Sequence, residues 1–221
     1  MIEAEKLKKS YNENIVLDIS SIKIRESQIV SICGPSGAGK TTLLSILGTL
    51  VKADNHKEQS LKILNQDVSK MSLNHLAKFR NKHLGFIFQF HELLDEFNVI
   101  ENIIIPGLIA NKEKKMLIKK ATEILKILNI VDLKFNNPKN ISGGEKQRVA
   151  VARSLINSPS IIFADEPSGN LDAKNADELH KLFFRLRDEF GQTFIIVTHN
   201  EKLSKISDKV LKLVDGKIQA R

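Results

Sequence analysis

Eight consecutive residues restrict what this 221-residue chain can fold into more than any other feature. Gly34-Pro35-Ser36-Gly37-Ala38-Gly39-Lys40-Thr41 matches G-x-x-x-x-G-K-[ST]. Glycines let the backbone curl until successive N–H groups face phosphate oxygens. A helix directly after the loop adds the positive end of its dipole. Lys40 is placed to reach β- and γ-phosphates, and Thr41 to offer a hydroxyl to Mg²⁺, with Thr42 beside it in the first helical turn. With glycine at roughly 7% of residues, chance produces such a match in about one chain in a hundred of this length. This match also stands where the chemistry needs it. The apolar run Gln28–Cys33 reads as a strand before it, and a helical pattern starts near Lys40 and fades by Leu50.

Two further motifs carry chemistry. Ile161-Ile162-Phe163-Ala164-Asp165-Glu166 is an apolar strand that ends in two carboxylates. Side chains alternate along a strand, so the two acids point to different sides. Asp165 suits Mg²⁺, directly or through water, and Glu166 suits polarising a water for attack on a γ-phosphate. An acidic strand end is common alone; the phosphate loop gives this one its meaning. Ser142-Gly143-Gly144-Glu145 opens a helix, and a serine cap followed by two glycines makes a second anion-binding nest. Both nests are used if each copy of the chain completes the site of another in a symmetric dimer.

Three single residues stand at suggestive places. His199 follows the apolar run Phe194–Val197 and is positioned to meet a γ-phosphate. Gln89 follows Phe86-Ile87-Phe88 and is able to orient a water or Mg²⁺. Tyr11 is the only tyrosine, and its ring is able to stack on adenine. Each of the three would more often be structural if it stood by itself. The six histidines show no metal-ligand spacing, and no Ser-His-Asp arrangement is readable.

The remaining pattern is α/β. Strands are expected over 1–7, 15–24, Leu61–Leu64, Leu84–Phe88, Ser160–Ala164 and Thr193–Thr198. Helices are expected over Leu73–Asn81, Ser142–Asn157 and Ala173–Phe190, and Asp215-Gly216 reads as the turn of a terminal hairpin. Residues 52–60 read as a loop. Between Asn98 and Ile130 the pattern is helical, with Met116, Ile118, Ala121, Ile124, Leu125 and Leu128 on one face. Asn136-Asn137-Pro138 breaks the chain after it. The outline is one domain over 1–221: an α/β core of 1–91 and 159–221, and a helical insertion of 92–158.

Composition excludes other classes. No apolar stretch approaches the roughly 18 residues of a membrane helix, and the start Met-Ile-Glu-Ala-Glu-Lys has no signal-peptide pattern. The single cysteine, Cys33, leaves no intrachain disulfide, fits a reducing compartment and is expected to pack as a small apolar side chain. The net charge of +8 comes from 27 Lys against 7 Arg. Arginine is the residue of bidentate phosphate and base-edge recognition. A lysine excess therefore reads as solvated surface, and no nucleic-acid partner is expected.

Taken together, these motifs resemble the nucleotide-binding subunit of ABC transporters over essentially the whole chain. Gly34–Thr41 is similar to that family's Walker A, Ile161–Glu166 to its Walker B and Ile141–Glu145 to its signature, with Glu145 where glutamine is usual. Gln89 matches the Q-loop, His199 the switch histidine, Tyr11 the A-loop and Ser168–Asp172 the D-loop. The run from Gly85 through Phe90-His91 to Glu101-Asn102 looks like the lipoprotein-releasing (Lol) group, with macrolide- and peptide-exporter and cell-division ATPases as close relatives. The resemblance implies a P-loop NTPase with a RecA-like core, N-terminal antiparallel strands and an inserted helical subdomain. It implies ATP and Mg²⁺ as ligands, held by Tyr11, Gly34 to Thr42, and Ser142, Gly143, Gly144 and Glu145 of a second copy. Thr41, Gln89 and Asp165 would organise Mg²⁺, Glu166 would activate water, and His199 would steady the γ-phosphate. Partners would be the second copy and transmembrane permease subunits, at the cytoplasmic face of the inner membrane, with Phe88–Leu94 as candidate contact. DNA-repair and chromosome ATPases share such heads, but carry a long coiled coil between the Walker motifs, where this chain has none. Translation-factor ATPases carry two heads per chain, and a non-hydrolysing module would not need Glu166.

Overall fold

The computed structural model describes residues 1–54 and 59–219. It contains two sheets. The first is antiparallel: β1 (Ile2–Tyr11) pairs on one edge with β2 (Asn14–Ile24) and on the other with β4 (Ser60–Ile63), which β5 (Gln66–Asp67) extends. The second sheet has the order β10-β9-β3-β8-β7-β6. Its strands β3 (Ile29–Cys33), β6 (Leu84–Ile87), β7 (Ile161–Asp165), β8 (Thr193–Val197) and β9 (Lys209–Val214) run parallel. The hairpin strand β10 (Lys217–Ile218) closes it antiparallel to β9.

Parallel strands buried on both faces read as continuous apolar runs, and β3, β7 and β8 do. One face carries Val30, Ile32, Ile161, Phe163, Ile195 and Val197, packed with the antiparallel sheet and α1 (Lys40–Leu47). The opposite face carries Ile29, Ile162, Ala164, Phe194 and Ile196. That second core continues into α3 (Val99–Ile109), α4 (Lys114–Ile127), α5 (Gly143–Leu155) and α6 (Ala173–Phe190). The short helices α2 (Leu73–His83) and α7 (Glu201–Ile206) lead into β6 and β9.

Register decides where the motifs meet. Ile32 of β3 and Asp165 of β7 both lie opposite Val197 of β8. The loops after these three strands therefore leave the sheet side by side at their carboxyl ends, the edge at which open α/β sheets bind ligands.

Three expectations need correction. The helical stretch 98–130 is two helices, α3 and α4, separated by a turn at residues 110–113. Met116 and Ile118 are exposed, and Leu117 takes their place on the inward face with Ala121, Ile124, Leu125 and Leu128. Leu117 lies four residues before Ala121 and Ile118 three before it, so helical spacing admits either and packing decides for Leu117. Cys33 is half-buried rather than packed away, with its Sγ 3.2 Å from Ser204 Oγ. Of the loop expected over 52–60, Ser60 already belongs to β4, and 55–58 lie outside the described residues. The terminal hairpin and the Ala173–Phe190 helix stand as expected, the latter between an Asp172 N-cap and a left-handed Gly191.

Candidate functional site

The loop 34–39 joins β3 to α1 through backbone that only glycine adopts easily. Gly37 and Gly39 lie at φ 77 and 94. A Cβ on Gly34 would fall 2.0 Å from the Leu213 carbonyl oxygen, so that position excludes any side chain. Gly37 faces open space, with no atom within 4 Å of where its Cβ would stand. Lys40 is buried, and its Nζ donates to the carbonyls of Gly34 (3.0 Å) and Pro35 (2.9 Å). The ammonium is parked over the loop it would share with a nucleotide.

The carboxylates point apart, as strand alternation requires. Thr41 Oγ1 donates to Asp165 Oδ1 at 3.3 Å. Glu166 turns toward His199, whose backbone N–H donates to Glu166 Oε2 at 3.3 Å. Its other oxygen, Oε1, lies 3.2 Å from His199 Nε2 but is buried and makes no hydrogen bond. Burial pushes the Glu166 carboxyl above its ordinary range; the His199 N–H opposes the shift and the charge of Asp165 adds to it. Burial likewise raises Asp165, against the pull of Thr41 and Lys40. A part-buried carboxylate with a raised pKa is suited to taking a proton.

Gly37, Gly39, Lys40, Thr41, Thr42, Gln89, Asp165, Glu166 and His199 all border one open cleft of about 330 Å³, along with Val16 and Ser36. Among the described residues, no group of three His, Cys, Asp or Glu side chains forms a self-contained metal site. A hydroxyl and a carboxylate joined across the cleft, with the Gln89 amide bordering it, instead suit Mg²⁺, which takes few protein ligands and completes its shell with water and substrate phosphates. The residues present fit that ion.

Two expected elements stand apart from the cleft. Tyr11 ends β1, half-exposed, with Lys9 Nζ 5.2 Å from its ring centre, and it does not border the cleft. Ser142, Gly143, Gly144 and Glu145 cap α5 and do not border it either. There the serine and Glu145 form a reciprocal capping box: the Ser142 N–H and hydroxyl both donate to Glu145 Oε2 at 2.7 Å. Those bonds hold the Glu145 carboxyl below its ordinary range. Glutamine serves at this position of a capping box as well. Glu145→Gln is therefore expected to leave the unfolding midpoint nearly unchanged, whereas Ser142→Ala is expected to cost about 1 kcal/mol in urea unfolding.

The segment after β6 is where sequence reading missed most. Phe88, Phe90 and Leu94 are exposed, as a partner contact over Phe88–Leu94 requires, and what the sequence did not show is how the segment is held. His91 and Glu92 are both left-handed, and Arg153 of α5 donates from Nη2 to the His91 carbonyl (2.6 Å) and from Nη1 to that of Glu92. Asn102, fully buried in the apolar helix α3, holds the same segment through Leu94, Phe97 and Asn98. A polar side chain within an apolar helix was the readable signal for that clamp. Beside it lies a groove of about 460 Å³ lined by Leu50, Phe88, Pro106, Ile109 and Arg153 among others.

Comparison with known proteins agrees with this geometry. A family profile described as ABC transporter matches residues 17–169. A Bacteroides fragilis protein, the lipoprotein-releasing system ATP-binding protein LolD, is 51% identical over 99% of this chain and 100% of its own length. Its Porphyromonas gingivalis namesake is 52% identical over 98% of this chain and 97% of its own. A dimeric ATP-binding cassette in a post-hydrolysis state, bound to ADP and Pi, superposes with a TM-score of 0.89 at 32% identity, covering 100% of this chain and 97% of that one. On its sequence, its fold and the loop that cradles Lys40, the chain belongs to the ABC transporter family.

Proposed function

We propose that this chain is the ATP-hydrolysing subunit of a membrane complex that releases lipoproteins from the inner membrane. One observation carries the chemical part: Lys40, Thr41, Gln89, Asp165, Glu166 and His199 converge on one cleft at the carboxyl ends of parallel strands. Full-length identity of about half with lipoprotein-releasing ATPases supports the cargo. No helix of the described residues is long and apolar enough to cross a membrane. The chain then works as a peripheral subunit at the cytoplasmic face, driving membrane-embedded permease subunits.

The loop N–H groups and Lys40 Nζ bind and orient the phosphates. Thr41, Asp165 and Gln89 hold Mg²⁺, which when bound neutralises charge on the phosphates. Glu166 takes the proton of the attacking water on its carboxylate, and His199 steadies the γ-phosphate. The Ser142–Glu145 helix start lies outside its own chain's cleft, which supports its use on the nucleotide of a second copy, head to tail. Tyr11, at the margin, stacks on the adenine. ATP then stabilises the closed dimer and hydrolysis releases it. Residues 92–158 move as a unit against the core and transmit closure.

The apolar groove beside Phe88 and Ile109 is the dock for a cytoplasmic segment of the permease. Affinity capture of the tagged chain from detergent-solubilised membranes is expected to recover polytopic partners. Ile109, two-thirds exposed at the groove's edge, is the test position. Ile109→Asp is expected to lose the partners while basal ATP turnover stays within about twofold, since it removes only an exposed apolar contact. Partners of a drug or peptide exporter in the capture would overturn the cargo; equal recovery with Ile109→Asp would overturn the dock.

A further inference from the structure

The connection from β7 to α6, residues 166–172, carries Glu166 and is held at few points. Glu166 lies at φ 45, a left-handed backbone that a non-glycine residue keeps only where its surroundings impose it. Its N–H donates to the Val197 carbonyl at 3.0 Å, and the Gly169 N–H closes a turn on the Glu166 carbonyl at 3.0 Å. His199 holds the Glu166 carboxylate itself and Asp172 caps α6, and between them side chains add two tethers on the turn. On the outer side, Asn170 Nδ2 donates to the Gln89 carbonyl at 3.1 Å. On the inner side, Ser168 Oγ shares a 3.1 Å hydrogen bond with His180 Nε2, and both residues are more than nine-tenths buried.

His180 is out of keeping with its surroundings. It sits on the inward face of α6 with Ala176, Leu179 and Phe183, where leucine would serve packing as well. Burial holds its imidazole below the usual histidine range, with Lys202 acting the same way and Asp177 the other. A buried neutral imidazole needs a hydrogen-bond partner, and the partner here is Ser168.

We propose that His180 is a positioning residue for hydrolysis: through Ser168 it locks the 166–169 turn and so aims the Glu166 carboxylate at the attacking water. The inference rests on the reading of Glu166 as general base. Ser168 stands two residues from Glu166 inside a turn whose closing bond is made to the Glu166 carbonyl. Fixing Ser168 therefore fixes the direction in which the Glu166 side chain leaves the backbone. The phosphate loop lies between β3 and α1, and the hydrogen bond from α1 to this strand end is made before the turn, from Thr41 to Asp165. Loss of the tether should misaim the base and spare nucleotide affinity, a pattern that a purely structural histidine would not produce.

The test is steady-state ATP hydrolysis by the purified full chain, with thermal unfolding measured alongside. His180→Leu suits the apolar helix face but leaves the buried Ser168 hydroxyl unpaired, a cost that lowers the melting temperature, whereas the double variant with Ser168→Ala removes both partners and is expected to be close to neutral. The kcat of His180→Leu is expected to fall about tenfold with KM for ATP within about twofold, since displacement of a catalytic group by a fraction of an ångström costs that much. Ser168→Ala should match it, and the double variant should fall no further than either single one, because both remove the same bond. His180→Gln, which restores a hydrogen-bonding group, should recover most of the lost kcat. Turnover within about twofold of wild type in His180→Leu and Ser168→Ala, or additive losses in the double variant, would overturn the inference. Should His180→Leu fail to fold, Ser168→Ala alone decides. Glu166→Gln in the same series keeps the readings apart. If it retains turnover, the base is misassigned; if it collapses while His180→Leu does not, only the positioning role fails.

Discussion

Glu166→Gln is expected to lower ATP turnover by two to four orders of magnitude, the usual contribution of a positioned general base. ATP affinity should survive. The substitution is nearly isosteric, and its amide oxygen is still able to accept the His199 N–H that now bonds Glu166 Oε2. What disappears is the carboxylate oxygen that would take the proton. With hydrolysis blocked, a closed ATP-bound dimer should accumulate, visible by size-exclusion chromatography with Mg-ATP. Stability should hold or rise. Burial raises the Glu166 pKa in the folded state, so above that pKa its ionisation works against folding, and glutamine removes that load. The same shift sets a pH profile for the wild type. The base must be ionised, so kcat should fall as pH drops through a value above the ordinary glutamate range. Turnover within about tenfold of wild type in Glu166→Gln would sink the assignment.

What could be read from residues alone was whatever chemistry or local sterics dictate. The phosphate loop is legible because glycine, lysine and threonine have few substitutes there. α6 is legible because Asp172 caps it, Gly191 ends it and its apolar positions recur at helical spacing. The inward face of α4 was misplaced because exposed Met116 and Ile118 are as apolar as buried Leu117, and only packing separates them. Contacts across long sequence distances left no local trace. The bond from Ser168 to His180 is an example, as is the Arg153 clamp on His91 and Glu92. Tyr11 stands between these cases. Its type and place in the sequence suit stacking, yet the antiparallel sheet carries it outside the residues that border the cleft. The signature serine and glycines look like a phosphate nest in sequence, and in one isolated chain they serve only to start a helix.

Lys40→Ala is expected to remove most nucleotide affinity while the chain stays folded. Lys40 is buried, yet the groups it bonds are the loop's own carbonyls of Gly34 and Pro35. Deleting the side chain therefore strands no buried opposite charge, the usual cause of collapse when one member of an ion pair is lost. Two carbonyls lose a donor at the edge of an open cleft, where water replaces it. Fold loss is thus modest, and the melting temperature without nucleotide should shift by only a few degrees. Nucleotide binding loses more. A lysine–phosphate contact is a charge-assisted hydrogen bond, worth about 1.5 to 3 kcal/mol, or roughly tenfold to a hundredfold in dissociation constant. Titration with a fluorescent ATP analogue reads that loss directly. The thermal shift that ATP gives the wild type should shrink in parallel, because stabilisation by a ligand follows its affinity. An unchanged dissociation constant would mean that the ammonium stays on its own carbonyls when nucleotide binds, leaving the cradle to the backbone N–H groups alone.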